Sequence, residues 1–298
     1  MNPALLIAGH GTRDAAGVAA FAALTERVAR LNAGRMPVAG GFIELSEPPL
    51  KDAVTDLAAR GHRDLVAVPL MLSAAGHSKG DVPAALARET ARHPGLSVRY
   101  GRPLGPHPVL LDLMAARIDA VTAGLPSGPA VLLAGRGTSD PDGNADVVKV
   151  ARLLWEGRGY EFAETAFISL ARPSVPEGLE RCRRLGARSI VVARYFLFPG
   201  VLPDRVTEQA AEFAAAHPGL DVRVTEVLGD CDEIAGLVAE RYREALEGDI
   251  RMNCDLCVYR TALPGFAHRV GLPQQPHDHP HDHVHLHGGW PGRPARPA

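Results

Sequence analysis

"LLIAGHGTRD" (Leu5–Asp14) is written a second time in this chain as "VLLAGRGTSD" (Val131–Asp140). Counted from Ala4 and from Ala130, seven of eleven consecutive positions are identical. Each copy is an apolar run, a Gly-x-Gly-Thr turn and an Asp suited to capping a helix. The likeness continues in order along the chain. "GFIELSEPPL" (Gly41–Leu50) matches "AFISLARPSV" (Ala166–Val175), and "HPGLSVRYGRPLG" (His93–Gly105) matches "HPGLDVRVTEVLG" (His217–Gly229). The offset drifts only from 126 to 124, so one unit has been duplicated with small loop deletions.

Within each unit, short apolar runs alternate with segments of helical spacing. "ALLIAG" and "DLVAVPLML" read as strands buried on both faces. Ala15 to Leu31 and Pro48 to Arg60 read as helices, the second opened by a proline and closed by Gly61. A helix from about Asp81, a strand "LSVRYG" and a helix from about His107 complete the unit. Strands near Val131, Phe162, Ile190 and Val222 repeat the pattern. The expectation is two doubly wound α/β domains with parallel sheets, residues 1–125 and 126–247, facing each other across a cleft. Ligands of such sheets bind beyond the carboxyl ends of the strands, where both Gly-x-Gly-Thr loops lie. Residues 248–298 turn rich in His, Pro and Gly and lose apolar periodicity, as a disordered tail does.

Composition narrows the function. A formal charge of −2 argues against nucleic acid and membrane surfaces as partners. No window reaches the roughly 20 apolar residues of a membrane span, and the N-terminus lacks a basic leader. Four cysteines are too few for a disulfide scaffold, which points to a reducing cytoplasm.

Three residues of the first unit stand at or just beyond strand ends: His10, Glu44 and His77. Singly, each could be a turn or cap residue. The second unit has Arg136 for His10, Ser169 for Glu44 and Val201 opposite His77, so all three are lost together. That joint loss favours one site. Two imidazoles and a carboxylate suit a divalent first-row metal with positions left open for a substrate.

"LLIAGHGTRD", "GFIELSEPPL" and "VPLMLSAAGHSKGDVP", in this order and spacing, resemble the sirohydrochlorin chelatase branch of the type II chelatases, over both units to about residue 247. The resemblance implies two chelatase-like, flavodoxin-like domains and ATP-independent insertion of a divalent metal into a tetrapyrrole, sirohydrochlorin. It places metal binding and proton acceptance on His10, Glu44 and His77. Consistent with it, no G-x-x-x-x-G-K-[ST] loop occurs. The substrate's carboxylates call for cations, for which Arg13, Lys79 and Arg136 are candidates in the same loops. On this reading Arg136→Ala weakens tetrapyrrole binding and spares metal binding.

In the tail, Met252-x-Cys254-x-x-Cys257 beside a His-rich stretch resembles the long form of the cobalt-inserting members, which carry a 4Fe–4S cluster at Cys254 and Cys257. Two cysteines cannot complete such a cluster. Cys182 and Cys231 are further candidates, Cys182 inside an apparent helix. His277, His279, His281, His283, His285 and His287 alternate along the tail, a pattern expected to bind divalent ions with little structure, either as an auxiliary reservoir for the site or as incidental affinity of a dispensable tail. The expected metal is Co2+, in cobalamin biosynthesis, with Fe2+ and Ni2+ as ions that the same ligands accept. Sirohaem-forming ferrochelatase is the alternative within the class, and a His-tail metal-storage protein the alternative outside it. A homo-oligomer is compatible with all three.

Overall fold

The computed structural model describes residues 2–32, 34–125, 128–248 and 267–272. The first repeat folds as β1 (Ala4–Gly9), α1 (Ala15–Leu31), β2 (Val38–Phe42), α2 (Leu50–Ala59), β3 (Asp64–Pro69), α3 (Val82–Arg92), β4 (Ser97–Tyr100) and α4 (Pro108–Thr122). The second folds as β5 (Ala130–Gly135), α5 (Pro141–Trp155), β6 (Ala163–Phe167), α6 (Val175–Arg184), β7 (Ser189–Arg194), α7 (Val201–Ala216), β8 (Asp221–Val224) and α8 (Asp232–Glu247). The two sheets have the orders β2-β1-β3-β4 and β6-β5-β7-β8, with every pairing parallel. This is the doubly wound α/β architecture implied by the strand–helix alternation. Among the described residues no helix is long and apolar enough to cross a membrane.

Two boundaries differ from those expected. Helix α2 begins at Leu50, because the Pro48 carbonyl accepts the Phe42 N–H (2.9 Å) and Pro49 bridges to Phe42, keeping both prolines alongside β2. Helical backbone before α3 begins at His77, where a π-helical turn spans His77–Asp81.

The strands are buried on both faces, with side chains alternating between two apolar layers. Ala4, Leu6 and Ala8 of β1 meet Leu50, Val54 and Leu57 of α2 and Val82 and Leu86 at the start of α3. Leu5 and Ile7 point the other way, into a core shared by both repeats. That core runs from Phe21, Leu24 and Val28 of α1, through Leu237 and Val238 of α8 and Met114 and Ile118 of α4, to Val150 and Leu154 of α5. It is continuous because the last helix of each repeat crosses over: α4 packs on α5, β7 and β8, and α8 packs on α1, β3 and β4. The repeat written in the sequence and the layer that packs are therefore different units.

Two arginines secure the exchange. Arg117 on α4 and Arg241 on α8 are 124 positions apart, as are Leu104 and Leu228. Arg117 Nη2 donates to the Leu228 carbonyl (3.0 Å), and Arg241 Nη2 to the Leu104 carbonyl (2.9 Å). Arg241 is wholly buried and also donates to the Pro103 carbonyl (3.0 Å), Glu240 (3.1 Å) and Glu244 (2.9 Å). Glu244 in turn takes a bidentate pair from Arg102 (2.6 and 2.8 Å).

The halves meet again beside the strand ends. Lys79 Nζ donates to Asp140 and Asp142, both at 2.8 Å, and its side chain is only 9% exposed. Burial alone would lower its pKa, but the two carboxylates outweigh burial and hold the ammonium above its usual value. On the same helix, Asp146 Oδ2 accepts the Ala74 N–H (3.1 Å). Burial raises the Asp146 carboxyl to about 6, the Asp142 charge adds to this, and the Ala74 N–H, Lys79 and Lys149 oppose it.

Arg241→Met leaves the Pro103 and Leu104 carbonyls without their donor and takes one of two arginine partners from Glu244, and is expected to cost about 2–5 kcal/mol in urea unfolding followed by circular dichroism. Arg117→Met removes the hydrogen bond to the Leu228 carbonyl and should cost about 1 kcal/mol. Asp146 has the opposite sign. Its folded pKa lies above the unfolded 3.8, so its ionisation works against folding. That cost is absent below about pH 4, grows to about pH 6 and is complete above it. Asp146→Asn should therefore raise stability at pH 8 by on the order of 1–2 kcal/mol and leave it unchanged near pH 4, read from unfolding midpoints at the two pH values.

Candidate metal centre

The β1–β2 ladder does not stop at the strand ends. The Ile43 N–H donates to the Gly9 carbonyl (3.0 Å) and the Glu44 N–H to the His10 carbonyl (3.1 Å), which sets Glu44 beside His10. Gly11, with φ +109°, lets the loop press onto this segment: a Cβ there would lie 1.8 Å from the Glu44 carbonyl oxygen. Ser46 Oγ accepts the Thr12 N–H (2.8 Å) and donates to the Thr12 carbonyl (2.5 Å), stapling the two loops. Asp14 then caps α1 through the Ala16 and Gly17 N–H groups.

The third residue arrives from β3 by way of the π-helical turn. Ser78 Oγ accepts the Ala75 N–H (3.1 Å) and donates to its carbonyl (2.9 Å), while Tyr100 Oη of β4 donates to the Ser78 carbonyl (2.7 Å). Burial, helped by the Asp81 charge, pushes the Tyr100 phenol well up, so it stays a donor. His77 Nε2 then lies 2.9 Å from His10 Nε2, with the rings edge-on at 90°, and His10 Nε2 lies 3.1 Å from Glu44 Oε1. One ligand atom from each of His10, Glu44 and His77 falls within 4.8 Å of the others. Glu44 is almost fully buried and the two histidines are about a quarter exposed, so the centre opens on its imidazole side.

The Nδ1 atoms face away from the centre. His10 Nδ1 is 3.0 Å from the Gly11 carbonyl and His77 Nδ1 is 2.7 Å from Asp81 Oδ2. Both contacts are to acceptors, and with the proton of each ring on Nδ1 both Nε2 atoms would present lone pairs to the centre, the state in which they can ligate a cation. Nitrogens 2.9 Å apart that bind a metal at about 2.1 Å subtend about 90°, the angle of neighbouring sites on a five- or six-coordinate ion. His10 is held neutral: burial, then the Arg136 charge, then His77 lower its pKa well below the usual value, against weaker pulls from Glu44 and Gly11.

The second repeat keeps the frame without the donors. Ile168 and Ser169 pair with Gly135 and Arg136 (3.0 and 2.9 Å), and Gly137 repeats the close approach of Gly11. Arg136 extends toward the first repeat, where its charge acts on His10 and Glu44, and burial lowers its pKa. Arg13 is exposed in the loop between β1 and α1. Lys79, expected among the cations that meet a substrate, is instead committed to Asp140 and Asp142 in the contact between the halves. Cys182 is packed in the outer core of the second repeat, and burial pushes its thiol up to about 12. Cys231 is the N-cap residue of α8. Cys254, Cys257 and the six tail histidines lie outside the described residues. The sequence reading passed over Asp81, Ser46 and the Asp140–Asp142–Asp146 group. Only Asp81 left a local signal, a carboxylate four residues after a histidine in "HSKGD".

Known proteins share this arrangement of strands and loops. A sirohydrochlorin cobaltochelatase of Priestia megaterium is 37% identical over 74% of each chain. A sirohydrochlorin ferrochelatase of the same organism is 30% identical over 71% of this chain and 79% of its own. SirB from Bacillus subtilis, solved with Fe3+, superposes with a TM-score of 0.71 at 29% identity, over 84% of this chain and 98% of its own. A SirB solved in complex with cobalt, from subspecies spizizenii, superposes equally well at 26% identity, over 83% and 97%. The CbiX family model matches residues 4–121 and again 130–245, once for each repeat, and the chain belongs to the CbiX family.

Proposed function

We propose that this chain is a sirohydrochlorin chelatase that inserts Co2+ without ATP. The observation that carries the reading is the facing pair of imidazole Nε2 atoms beside the Glu44 carboxylate, with both Nδ1 atoms directed at acceptors. Cobalt is favoured by the greater identity to the Priestia cobaltochelatase. The ferrochelatase relative supports Fe2+ as the second reading, because the two ions accept the same ligands.

The metal is a substrate here. The reaction exchanges one M2+ for two pyrrole N–H protons, so the ring leaves as the neutral-centred chelate and two protons remain. His10 and His77 bind the ion as neutral imidazoles. As the ion moves to the ring nitrogens, their lone pairs and the Glu44 carboxylate become free to take the two protons. Glu44, nearly buried, adds one negative charge to the centre; Arg136 adds one positive charge from the facing repeat. That cation weakens the hold on M2+ and offers a partner for a carboxylate of the macrocycle.

An absorbance assay with sirohydrochlorin and either Co2+ or Fe2+ tests the reading. The protein should accelerate the spectral change, with cobalt preferred under competition, and His10→Ala or His77→Ala should reduce the rate by a factor of about 100 or more. No acceleration with either ion would sink the enzyme. Preference for iron in the mixed assay would replace cobalt with the second reading. A storage protein would behave differently, losing most of its bound metal with residues 273–298 and keeping it in His10→Ala. Arg136→Met should weaken tetrapyrrole binding and, instead of sparing the metal as the sequence implied, tighten Co2+ binding several-fold, since the Arg136 charge reaches His10 and Glu44.

A further inference from the structure

His77 and Asp81 are the two ends of one π-helical turn, closed by the Val82 N–H on the His77 carbonyl. This wider turn brings the Asp81 carboxylate to 2.7 Å from His77 Nδ1. Asp81 is 5% exposed, and a carboxylate so far from water is stable only with donors aimed at it. The turn is fixed from outside at two points, by Tyr100 on the Ser78 carbonyl and by Lys79 on Asp140 and Asp142. The two histidines are therefore oriented by unlike groups. His10 has a neutral backbone carbonyl behind it, whereas His77 has a buried carboxylate.

The second repeat bears on the same pair. Val82 and Leu86 align with Val206 and Ala210, buried positions in both repeats, which fixes the offset at 124. At that offset His77 is replaced by Val201 and Asp81 by Arg205, both exposed. Where the imidazole is gone, the carboxylate is gone with it.

Resting on the chelatase reading, we propose that Asp81 is the positioning residue of metal capture. It keeps the His77 proton on Nδ1 and so holds Nε2 as a fixed lone pair directed at the incoming ion. His77 is then the stronger of the two nitrogen donors, and His10, with only a carbonyl behind it and the Arg136 charge in front, the weaker.

The test uses the full chain labelled with 15N-histidine, free of metal and at alkaline pH, where imidazole is neutral. Long-range 1H–15N correlation reads the tautomer, with the His77 signals assigned by their loss in His77→Gln. His77 should carry its proton on Nδ1, and in Asp81→Ala it should shift toward the Nε2–H form. Titration with Co2+ alone, counting only the binding lost in His10→Ala, should show about 10- to 100-fold weaker affinity in Asp81→Asn. The urea midpoint of this isosteric variant should stay near that of the parent. An Nε2–H tautomer in the parent protein overturns the proposal, as does Co2+ affinity in Asp81→Asn equal to the parent's. Failure of the chelatase reading would appear separately, as absent metallation of sirohydrochlorin by the parent protein, with the tautomer measurement still deciding the role of Asp81.

Discussion

The exchange of α4 and α8 is the constraint on which the rest of the molecule depends. Two independent α/β layers would each need a cover for the sheet face lined by Leu5 and Ile7 or by Val131 and Leu133. Lending the last helix to the other sheet closes both faces with one core, and burying a large aliphatic side chain contributes about 1.5–3 kcal/mol each. It also removes freedom between the halves. Arg136 belongs to one repeat and His10 and Glu44 to the other, so a charge that acts on both has to be held there by the packing behind it. Arg241 in its closed network and Lys79 between two carboxylates fix the contact at separate points.

Within that frame, duplication has preserved backbone and changed chemistry. Gly11 and Gly137 sit in the left-handed region, each pressed against the carbonyl of the next strand's loop (Glu44 and Ser169), where a Cβ would meet the oxygen at under 2 Å. Neither can be replaced without moving the loop, whatever its neighbour does. The residue before each glycine is under no such restraint. His10 and Arg136 occupy the same place on the same ladder, so one position carries a candidate metal ligand in one repeat and a guanidinium in the other.

Much of the architecture was legible because continuous apolar strand runs and strand–helix alternation are local in the chain. Candidate ligands were legible for a different reason: His10, Glu44 and His77 stand at strand ends and are missing together from the second repeat, and the structure brings their donor atoms together. What the chain did not disclose is non-local. An amphipathic helix carries no mark of which sheet it covers, so the crossing of α4 and α8 leaves no trace in a repeat alignment. Lys79 looked like a cation available to a substrate because its partners, Asp140 and Asp142, lie some sixty residues away on the other repeat. Asp81 was hidden by a local error of a different kind, since a helix drawn from Asp81 onward leaves His77 in a loop with no reason to face it.

On the proposed chelatase reading, the charges around the centre would let a site made of good ligands release its metal. With both imidazoles neutral, the Glu44 and Asp81 carboxylates and the Arg136 guanidinium sum to one negative charge before any ion arrives, so an added M2+ charge would be only half compensated. In a partly buried site that imbalance is not screened as it would be in water. A macrocycle giving up two N–H protons presents two negative charges to the same ion, so the electrostatic balance tips toward the ring as deprotonation proceeds. Removing Arg136 from this sum would leave a second negative charge at the centre and, on the proposed chelatase reading, a tighter, slower-releasing site. On that reading, the arginine that stands where the second repeat's ligand would be is part of the same device as His10, on which its charge acts.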